Sequence, residues 1–243
     1  MDEAREFYRG LSQTEAYLGA HAGAQGEDGA GDAPSGGRLV MLMSAQGGEG
    51  VSSLAASLAL AAAEHARKPT WLLDLDLRRN HAFNAFAVGA LSMRYGGVGP
   101  PYSALLKTDP FFTIEPEDKE ATGMPGLFTA HRVGETRMMV TQFDADRLQA
   151  NAMVRIRTQP SYWAAVRGAT DWTVVDAPAL ARSNAGLAVA SQMDGVVLVV
   201  QADRTPASEV AKLRQAVERH GGRVLGVALT RIQVDARLVE SIG

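Results

Sequence analysis

Residues 44–53 read SAQGGEGVSS and join an apolar run, RLVMLM, to an alanine-rich run that begins with LAASLAL. A glycine-rich turn between a strand and a helix directs several backbone N–H groups and a helix N-terminus at one point, which suits a phosphate group. In phosphate-binding loops of this spacing a lysine follows the last glycine, and a serine or threonine that ligates magnesium comes next. Here Val51 follows Gly50, and Ser52 comes next. The stretch therefore predicts a phosphate-binding fold without the cation of such a loop.

The composition is that of an ordinary globular protein. The 243 residues suffice for one large α/β domain, with 46% hydrophobic and 21% charged residues. The formal net charge of -3 gives no indication of a nucleic-acid partner. The absence of cysteine excludes disulfides and thiolate metal sites and fits a reducing cytosol. The charged start, MDEAREFYRG, is not a secretory signal, and the longest apolar stretch, 54–63, is too short for a bilayer. We therefore expect a cytoplasmic protein without a membrane span of its own.

Three segments follow one another along the chain. Residues 1–18 carry apolar side chains among charges at helical spacing, which predicts an amphipathic helical arm. Its apolar residues are Phe7, Leu11 and Leu18. Residues 19–37 are rich in Gly, Ala and Asp without periodicity, which predicts a flexible linker. Residues 38–243 form the predicted main domain.

From residue 38 onward, strand-like apolar runs alternate with helical runs, which is the pattern of a mostly parallel, doubly wound α/β sheet. The runs are continuously apolar, which is typical of strands covered on both faces. Strands are predicted at 39–44, 70–75, 173–176, 195–201 and 224–229, and helices at 52–66 and 206–220. Short apolar runs and turn-prone residues alternate over 80–160, and this region is predicted only as mixed structure.

Three aspartates stand where predicted strands end. Strand alternation would place Asp74 and Asp76 on one face of the second strand, and Asp176 ends the third. Sheet ligands bind at the carboxyl ends of parallel strands, so these carboxylates and Ser52 are expected to converge around Mg²⁺. Any one of these aspartates alone is better explained as a cap or turn residue. Their joint occurrence in chain order with the glycine-rich loop favours a ligand site.

Four stretches together resemble the nucleotide-binding domain of bacterial tyrosine autokinases: SAQGGEGVSS, LLDLDLRRN, DWTVVDAPAL and the run from MDGVVLVV to LTRI. These kinases and the related polysaccharide co-polymerase cytoplasmic domains belong to the deviant Walker P-loop NTPases, with the plasmid-partition and MinD-type septum-positioning ATPases. The resemblance covers nearly all of 39–232, and DLDLRRN, with its aspartate pair followed by two arginines, is its most specific part. It implies a P-loop NTPase fold in a single domain.

The sequence departs from the family pattern where that pattern carries chemistry. Val51 replaces the catalytic Walker A lysine, and Thr230 replaces an asparagine that recognises adenine. The tyrosine cluster on which the kinases phosphorylate themselves is missing, since no tyrosine follows Tyr162. The resemblance therefore implies a degenerate member, a pseudokinase with no cofactor or with weak Mg-ATP or Mg-ADP binding.

The predicted site surrounds this vestigial pocket. Its acidic residues, to which we assign no catalytic role, are Asp74, Asp76 and Asp176. The predicted nucleotide-binding residues are Gly47, Gly48, Glu49, Gly50, Val51, Ser52, Ser53, Thr230 and Arg231. The predicted ligands of any Mg²⁺ are Ser52, Asp74 and Asp176.

The resemblance implies a scaffold or regulator in the synthesis and export of a bacterial exopolysaccharide, such as a capsule or adhesin. The implied partners are a membrane-embedded polysaccharide co-polymerase or chain-length regulator and further copies of the chain in a homo-oligomer. The protein would then be peripheral to the inner membrane through that partner. Glu6 and Arg9 in EFYRGLS match part of a stretch that packs between subunits in the kinases, although short charged repeats also occur by chance.

Two other functions are alternatives to this one. The first is an active ATPase or nucleotide-controlled switch that uses an arginine in place of the lysine, and the three retained aspartates favour it. Arg78 and Arg79 follow the second strand and are the nearest candidates, but surface or subunit-interface contacts are the favoured interpretation for them. The second is a partition-type positioning protein, which the DLDLRRN stretch and the lack of a basic surface argue against.

Overall fold

The structure is a computed structural model that describes residues 36–115, 124–149 and 151–231. The predicted helical arm at 1–18 lies outside the described residues, as do positions 19–35 of the predicted linker. Residues 232–243 of the predicted domain also lie outside them.

An eight-stranded sheet dominates the described part of the chain. Its strand order is β10-β9-β1-β8-β2-β6-β5-β3, and β4 pairs with β7 in a separate two-stranded sheet. The strands are β1 (Arg38–Ser44), β2 (Thr70–Asp74), β3 (Val98–Ser103), β4 (Phe112–Glu115), β5 (Phe128–Val133), β6 (Met138–Phe143), β7 (Met153–Ile156), β8 (Trp172–Asp176), β9 (Gly195–Gln201) and β10 (Val224–Thr230). Six neighbouring strands, from β10 to β6, run parallel, and β5 is antiparallel to both β6 and β3.

Helices cover both faces of the sheet. They are α1 (Val51–His65), α2 (His81–Ala87), α3 (Ala90–Tyr95), α4 (Pro160–Ala169), α5 (Ala185–Val189) and α6 (Ala207–Arg219). Short 3₁₀ turns occur at Ala145–Arg147 and Ala190–Gln192. Among the described helices, none combines the length and the apolar character that a membrane span requires.

Alternation along the central strands feeds two hydrophobic clusters. In β1, Leu42 packs in the cluster that contains Ala59 of α1. Met41 points to the other face, into the cluster that contains Trp163 of α4 and Val217 of α6. Because both faces are buried, the strands read as continuous apolar runs, and the predicted mostly parallel α/β fold is confirmed.

The predicted elements lie close to the observed ones. The bounds predicted for β9 are the observed ones, and the other four predicted strands differ from the observed strands by one residue at an end. The region 80–160 contains α2, α3 and β3 to β7. Its β5 and β3 extend the sheet by antiparallel pairing, which needs only short connections. The βαβ pattern therefore stops at β6.

Candidate functional site

The loop between β1 and α1 has the backbone of a glycine-rich turn. Gly48 and Gly50 have φ values of 84° and 90°, in the left-handed region that glycine adopts without a steric penalty. A Cβ added to Gly47 or Gly48 would meet no atom within 4 Å, so the loop presents bare backbone to open space there. A phosphate can approach such a surface closely.

Val51 is the first residue of α1 and is almost fully buried. Only 8% of it is exposed, and it belongs to the same hydrophobic cluster as Leu42 and Ala55. Its side chain is therefore part of the core beneath the loop. At this position the loop offers a hydrocarbon surface instead of an ammonium group.

Glu49 holds the loop to two distant segments. Its carboxylate accepts hydrogen bonds from the backbone N–H of Gln46, at 3.2 Å, and from the hydroxyl of Thr205. Its carbonyl oxygen accepts a hydrogen bond from Thr230 Oγ1 at 2.7 Å. Glu49 is 2% exposed, so these bonds replace the water that a buried carboxylate would otherwise need. The loop is thus fastened from inside, by a residue that the sequence indicated only as a pocket residue.

Asp74 and Asp176 lie side by side at the end of adjacent strands. They are register partners in the parallel β2–β8 pair, and each is 4% exposed. Burial, and next the negative charge of Asp74, raise the pKa of Asp176 to about 7, although a hydrogen bond from Ser52 opposes this. Burial also raises the pKa of Asp74, against the lowering effect of two backbone N–H donors. These two carboxyls and the Ser52 hydroxyl form the acidic end of the site.

Asp76 reaches the site by a different route from the one expected. β2 ends at Asp74, so the prediction that strand alternation aligns the two aspartates is wrong. The chain turns instead: the backbone N–H of Asp76 donates to Asp74 Oδ1 at 2.8 Å, and that of Ala82 donates to Oδ2 at 3.2 Å. A carboxylate at a strand end can bond to the following backbone in this way and so define a turn.

Arg182 is a site residue that the sequence motifs do not indicate. It lies on the connection after β8, and its Nη2 is 2.7 Å from Asp76 Oδ2. Its position six residues beyond Asp176, past the carboxyl end of a central strand, is the only signal that the sequence offers. Arg78 and Arg79 instead line a second cavity, of about 520 Å³, although Arg79 Nε is also 3.9 Å from Asp76 Oδ2. The arginine that lines the cavity beside the loop is therefore Arg182, and not Arg78 or Arg79 of the motif.

A cavity of about 310 Å³ brings most of the predicted residues together. The predicted residues that line it are Gly47, Gly48, Glu49, Gly50, Val51, Ser52, Ser53, Asp74, Asp76, Asp176 and Arg231. Thr230 does not line the cavity. Its hydroxyl instead donates a hydrogen bond to the carbonyl oxygen of Glu49 in the loop. His81, Arg182 and the stretch Ala177–Pro178–Ala179 complete much of the remaining wall.

The acidic end suits magnesium only in combination with a ligand. Within the described ranges, no three His, Asp or Glu side chains approach closely enough to form a metal-ligand set. Mg²⁺ commonly takes one or two carboxylates, several waters and substrate phosphates. Asp74, Asp176 and Ser52 supply oxygen atoms of that kind beside an open phosphate loop, so these residues fit Mg²⁺ that is shared with a phosphate.

Comparisons with known proteins relate the sequence and fold to one group. No family model matches the sequence. The chain is 24% identical over 200 residues to tyrosine-protein kinase CpsD of Streptococcus agalactiae, covering 80% of this chain and 76% of CpsD.

Solved structures with a similar fold include a tyrosine kinase domain and a cell division ATPase. The kinase domain of Escherichia coli tyrosine kinase ETK superposes with a TM-score of 0.53 and 20% identity, over 82% of this chain and 70% of that domain. The cell division ATPase MinD of Pyrococcus furiosus gives a TM-score of 0.51 and 17% identity, over 85% and 79% of the two chains. The described part of the chain therefore has the fold of these kinase and ATPase structures, and its sequence is similar to that of the tyrosine kinase CpsD.

Proposed function

We propose that this chain is a catalytically impaired relative of the tyrosine kinases that acts as a scaffold or regulator in bacterial exopolysaccharide synthesis and export. The observation that carries the proposal is the burial of Val51 in the core beneath an otherwise complete phosphate loop. A branched hydrocarbon cannot neutralise phosphate charge. The polysaccharide role rests on the resemblance to the tyrosine-kinase branch and on the relationship to CpsD.

The binding free energy that is lost with the lysine supports impaired catalysis. A hydrogen bond to a charged group contributes about 1.5–3 kcal/mol, and donors aimed at developing charge are worth more in the transition state than in the ground state. The cavity also contains Asp74, Asp76 and Asp176, whose negative charge opposes a polyphosphate. Binding without magnesium is therefore weak, and phosphoryl transfer is slow or absent.

Weak Mg-ATP or Mg-ADP binding is part of this proposal. The open backbone at Gly47 and Gly48 would cradle phosphate, and Ser52, Asp74 and Asp176 would hold the metal. Magnesium, when bound, would supply positive charge that offsets the negative charge of the phosphate. Asp74 and Asp176 keep that end of the site anionic, and Glu49 keeps the loop in its curved conformation.

The proposed partners follow from the same resemblance. We propose a cytoplasmic protein at the inner membrane, bound to a polysaccharide co-polymerase or chain-length regulator and assembled as a homo-oligomer. In such an assembly the fold would serve as a binding surface, and nucleotide would have at most a structural role.

An active nucleotide switch is the second candidate. It is favoured by two arginines that line the cavity, Arg182 and Arg231, either of which could supply the missing positive charge. It requires that nucleotide binding be essential for the biological role, whereas a scaffold does not.

Genetic complementation separates the two candidates. In the source bacterium, deletion of the gene is expected to lower surface polysaccharide. The Asp176→Ala variant, which removes a magnesium ligand, should restore output as fully as the native gene, and the exposed Asp109→Ala serves as the matched control. Failure of Asp176→Ala alone, at normal protein levels, would establish the switch instead. Unchanged polysaccharide in the deletion strain would contradict the proposed role altogether.

A further inference from the structure

We propose that Arg182 is the residue that binds phosphate in this cavity, and that Asp76 holds Arg182 while the cavity is free of ligand. The inference deepens the proposed function in one respect, because it takes the impaired site to retain weak affinity for phosphoanhydrides. The ligand chemistry is a diphosphate group, whether it belongs to a nucleotide or is free.

The backbone of Arg182 has a fixed position against the loop. The connection after β8 is hydrogen-bonded to the end of β1: the N–H of Leu180 donates to Ser44 O at 2.9 Å, and that of Ala181 to Ala45 O at 3.1 Å. The N–H of Arg182 then closes a turn on Ala179 O at 2.9 Å. The backbone that carries Arg182 is therefore tied to the residues where the phosphate loop begins.

The side chain of Arg182 has the chemistry that phosphate requires. A guanidinium has five N–H donors in a fixed plane and binds phosphate through two of them at once. Among the described residues the guanidinium contacts Asp76, through the 2.7 Å pair between Nη2 and Oδ2, and 45% of the side chain is exposed. Donors therefore remain for a ligand in the cavity that this side chain lines.

Asp76 still has a cation beside it after Arg182 moves to a ligand. Its Oδ2 lies 2.7 Å from Arg182 Nη2 and 3.9 Å from Arg79 Nε. When phosphate takes Arg182, Arg79 remains next to the carboxylate. Asp76 is 21% exposed at its side chain, so water can also replace the lost contact. The exchange leaves no buried charge without a partner.

Arg231 is the principal competitor for this role. It lines the same cavity, and its Nη1 is 3.5 Å from Gln201 Oε1. It follows Thr230, whose hydroxyl donates to the carbonyl oxygen of Glu49, and its guanidinium contacts the neutral amide of Gln201. Arg182 is paired with Asp76 at the acidic end, where a phosphate shared with magnesium would lie. We therefore assign the phosphate contact to Arg182.

The test is a ³¹P NMR titration of inorganic diphosphate and of ADP, in EDTA, with the native protein and four variants. Arg182→Ala should weaken binding of both ligands at least tenfold, and Asp76→Asn should tighten it severalfold because Arg182 is then free. Arg231→Ala should change binding less than Arg182→Ala. The control Arg219→Ala removes an exposed arginine at the end of α6 and should change nothing.

The outcomes are decisive in both directions. Equal binding by native protein and Arg182→Ala, weaker binding by Asp76→Asn, or no line broadening with native protein up to the solubility limit of the ligand would each overturn the assignment. A preference for ADP over diphosphate identifies a nucleotide as the source of the phosphate, and equal affinities identify the phosphate group alone. Hydrolysis of ATP by the native protein would overturn the proposed function and leave the assignment of Arg182 standing.

Discussion

Asp74 and Asp176 are register partners on neighbouring parallel strands, and each is only 4% exposed. Two buried carboxyls in such proximity do not both ionise readily, because each charge raises the cost of the other. Burial and the charge of Asp74 accordingly raise the pKa of Asp176 to about 7. The acidic end of the site therefore lowers the stability of the protein near neutral pH.

Replacement of Asp176 by asparagine tests this cost. Because the pKa of Asp176 is about 7 in the folded protein, against an ordinary value of 3.8, the folded state holds the proton more tightly than the unfolded chain. The native protein thus loses stability as the pH rises from about 4 to about 7, whereas the neutral amide does not. Asp176→Asn should be more stable than native by as much as about 4 kcal/mol above pH 7, and the difference should vanish below about pH 4.

The measurement is urea denaturation of both proteins across this pH range. Asp109→Asn, at an exposed position, is the matched control and should show no such trend. A difference between Asp176→Asn and native that stays constant with pH would rule out the titration of Asp176 as its cause.

Removal of the Thr205 hydroxyl tests how the loop is fastened. Thr205→Val keeps the shape of the side chain but removes a donor to the buried carboxylate of Glu49. An unsatisfied buried group costs about 1–3 kcal/mol, more if charged, so the free energy of unfolding should fall by at least that amount. Thr113→Val is the control: Thr113 lies on β4, in the small two-stranded sheet and away from the loop, and its replacement should change stability little. A loss below about 0.5 kcal/mol for Thr205→Val would be within the usual range of surface changes and would remove Glu49 as the fastening of the loop.

Alanine at Gly50 tests the conformation of the loop. The φ of Gly50 is 90°, which costs an L-residue about 1–3 kcal/mol, whereas the new Cβ would make only ordinary van der Waals contact with Thr230, at 3.5 Å. Gly50→Ala should therefore lower the midpoint of thermal unfolding. Gly168→Ala is the matched control: it lies within α4 with open space around its Cβ, so it should be neutral or stabilise the helix by up to about 1 kcal/mol. Equal effects of the two changes would show that Gly50 is not held in the left-handed region.

The central strands could be predicted because burial on both faces leaves a clear pattern. β9 and the end of β8 at Asp176 follow directly from unbroken apolar runs. The antiparallel strands β3 and β5 could not, since β3 contains Pro100 and Pro101 and is largely exposed. Its pairing with β5 depends on tertiary contacts that no local periodicity records.

Some residues of the site could likewise be predicted from the sequence, and others could not. Gly47 to Ser53, Asp74 and Asp176 were predictable, because they lie at the ends of strands that meet at one edge of the sheet. The contact between Thr205 and Glu49 joins residues 156 positions apart and leaves no sequence signal. Asp76 required knowledge of where β2 ends, and Arg182 required knowledge of how the connection after β8 folds back onto β1.

The most direct test of the silenced site is calorimetric titration of Mg-ADP and Mg-ATP into the native protein and Val51→Lys, with phosphate release measured on the same samples. The restored ammonium should contribute about 1.5–3 kcal/mol, which corresponds to roughly 10- to 150-fold tighter binding. We predict millimolar or weaker binding and no turnover for native protein, and at least tenfold tighter binding for Val51→Lys. Micromolar binding or steady phosphate release by the native protein would contradict the claim that Val51 silences the site.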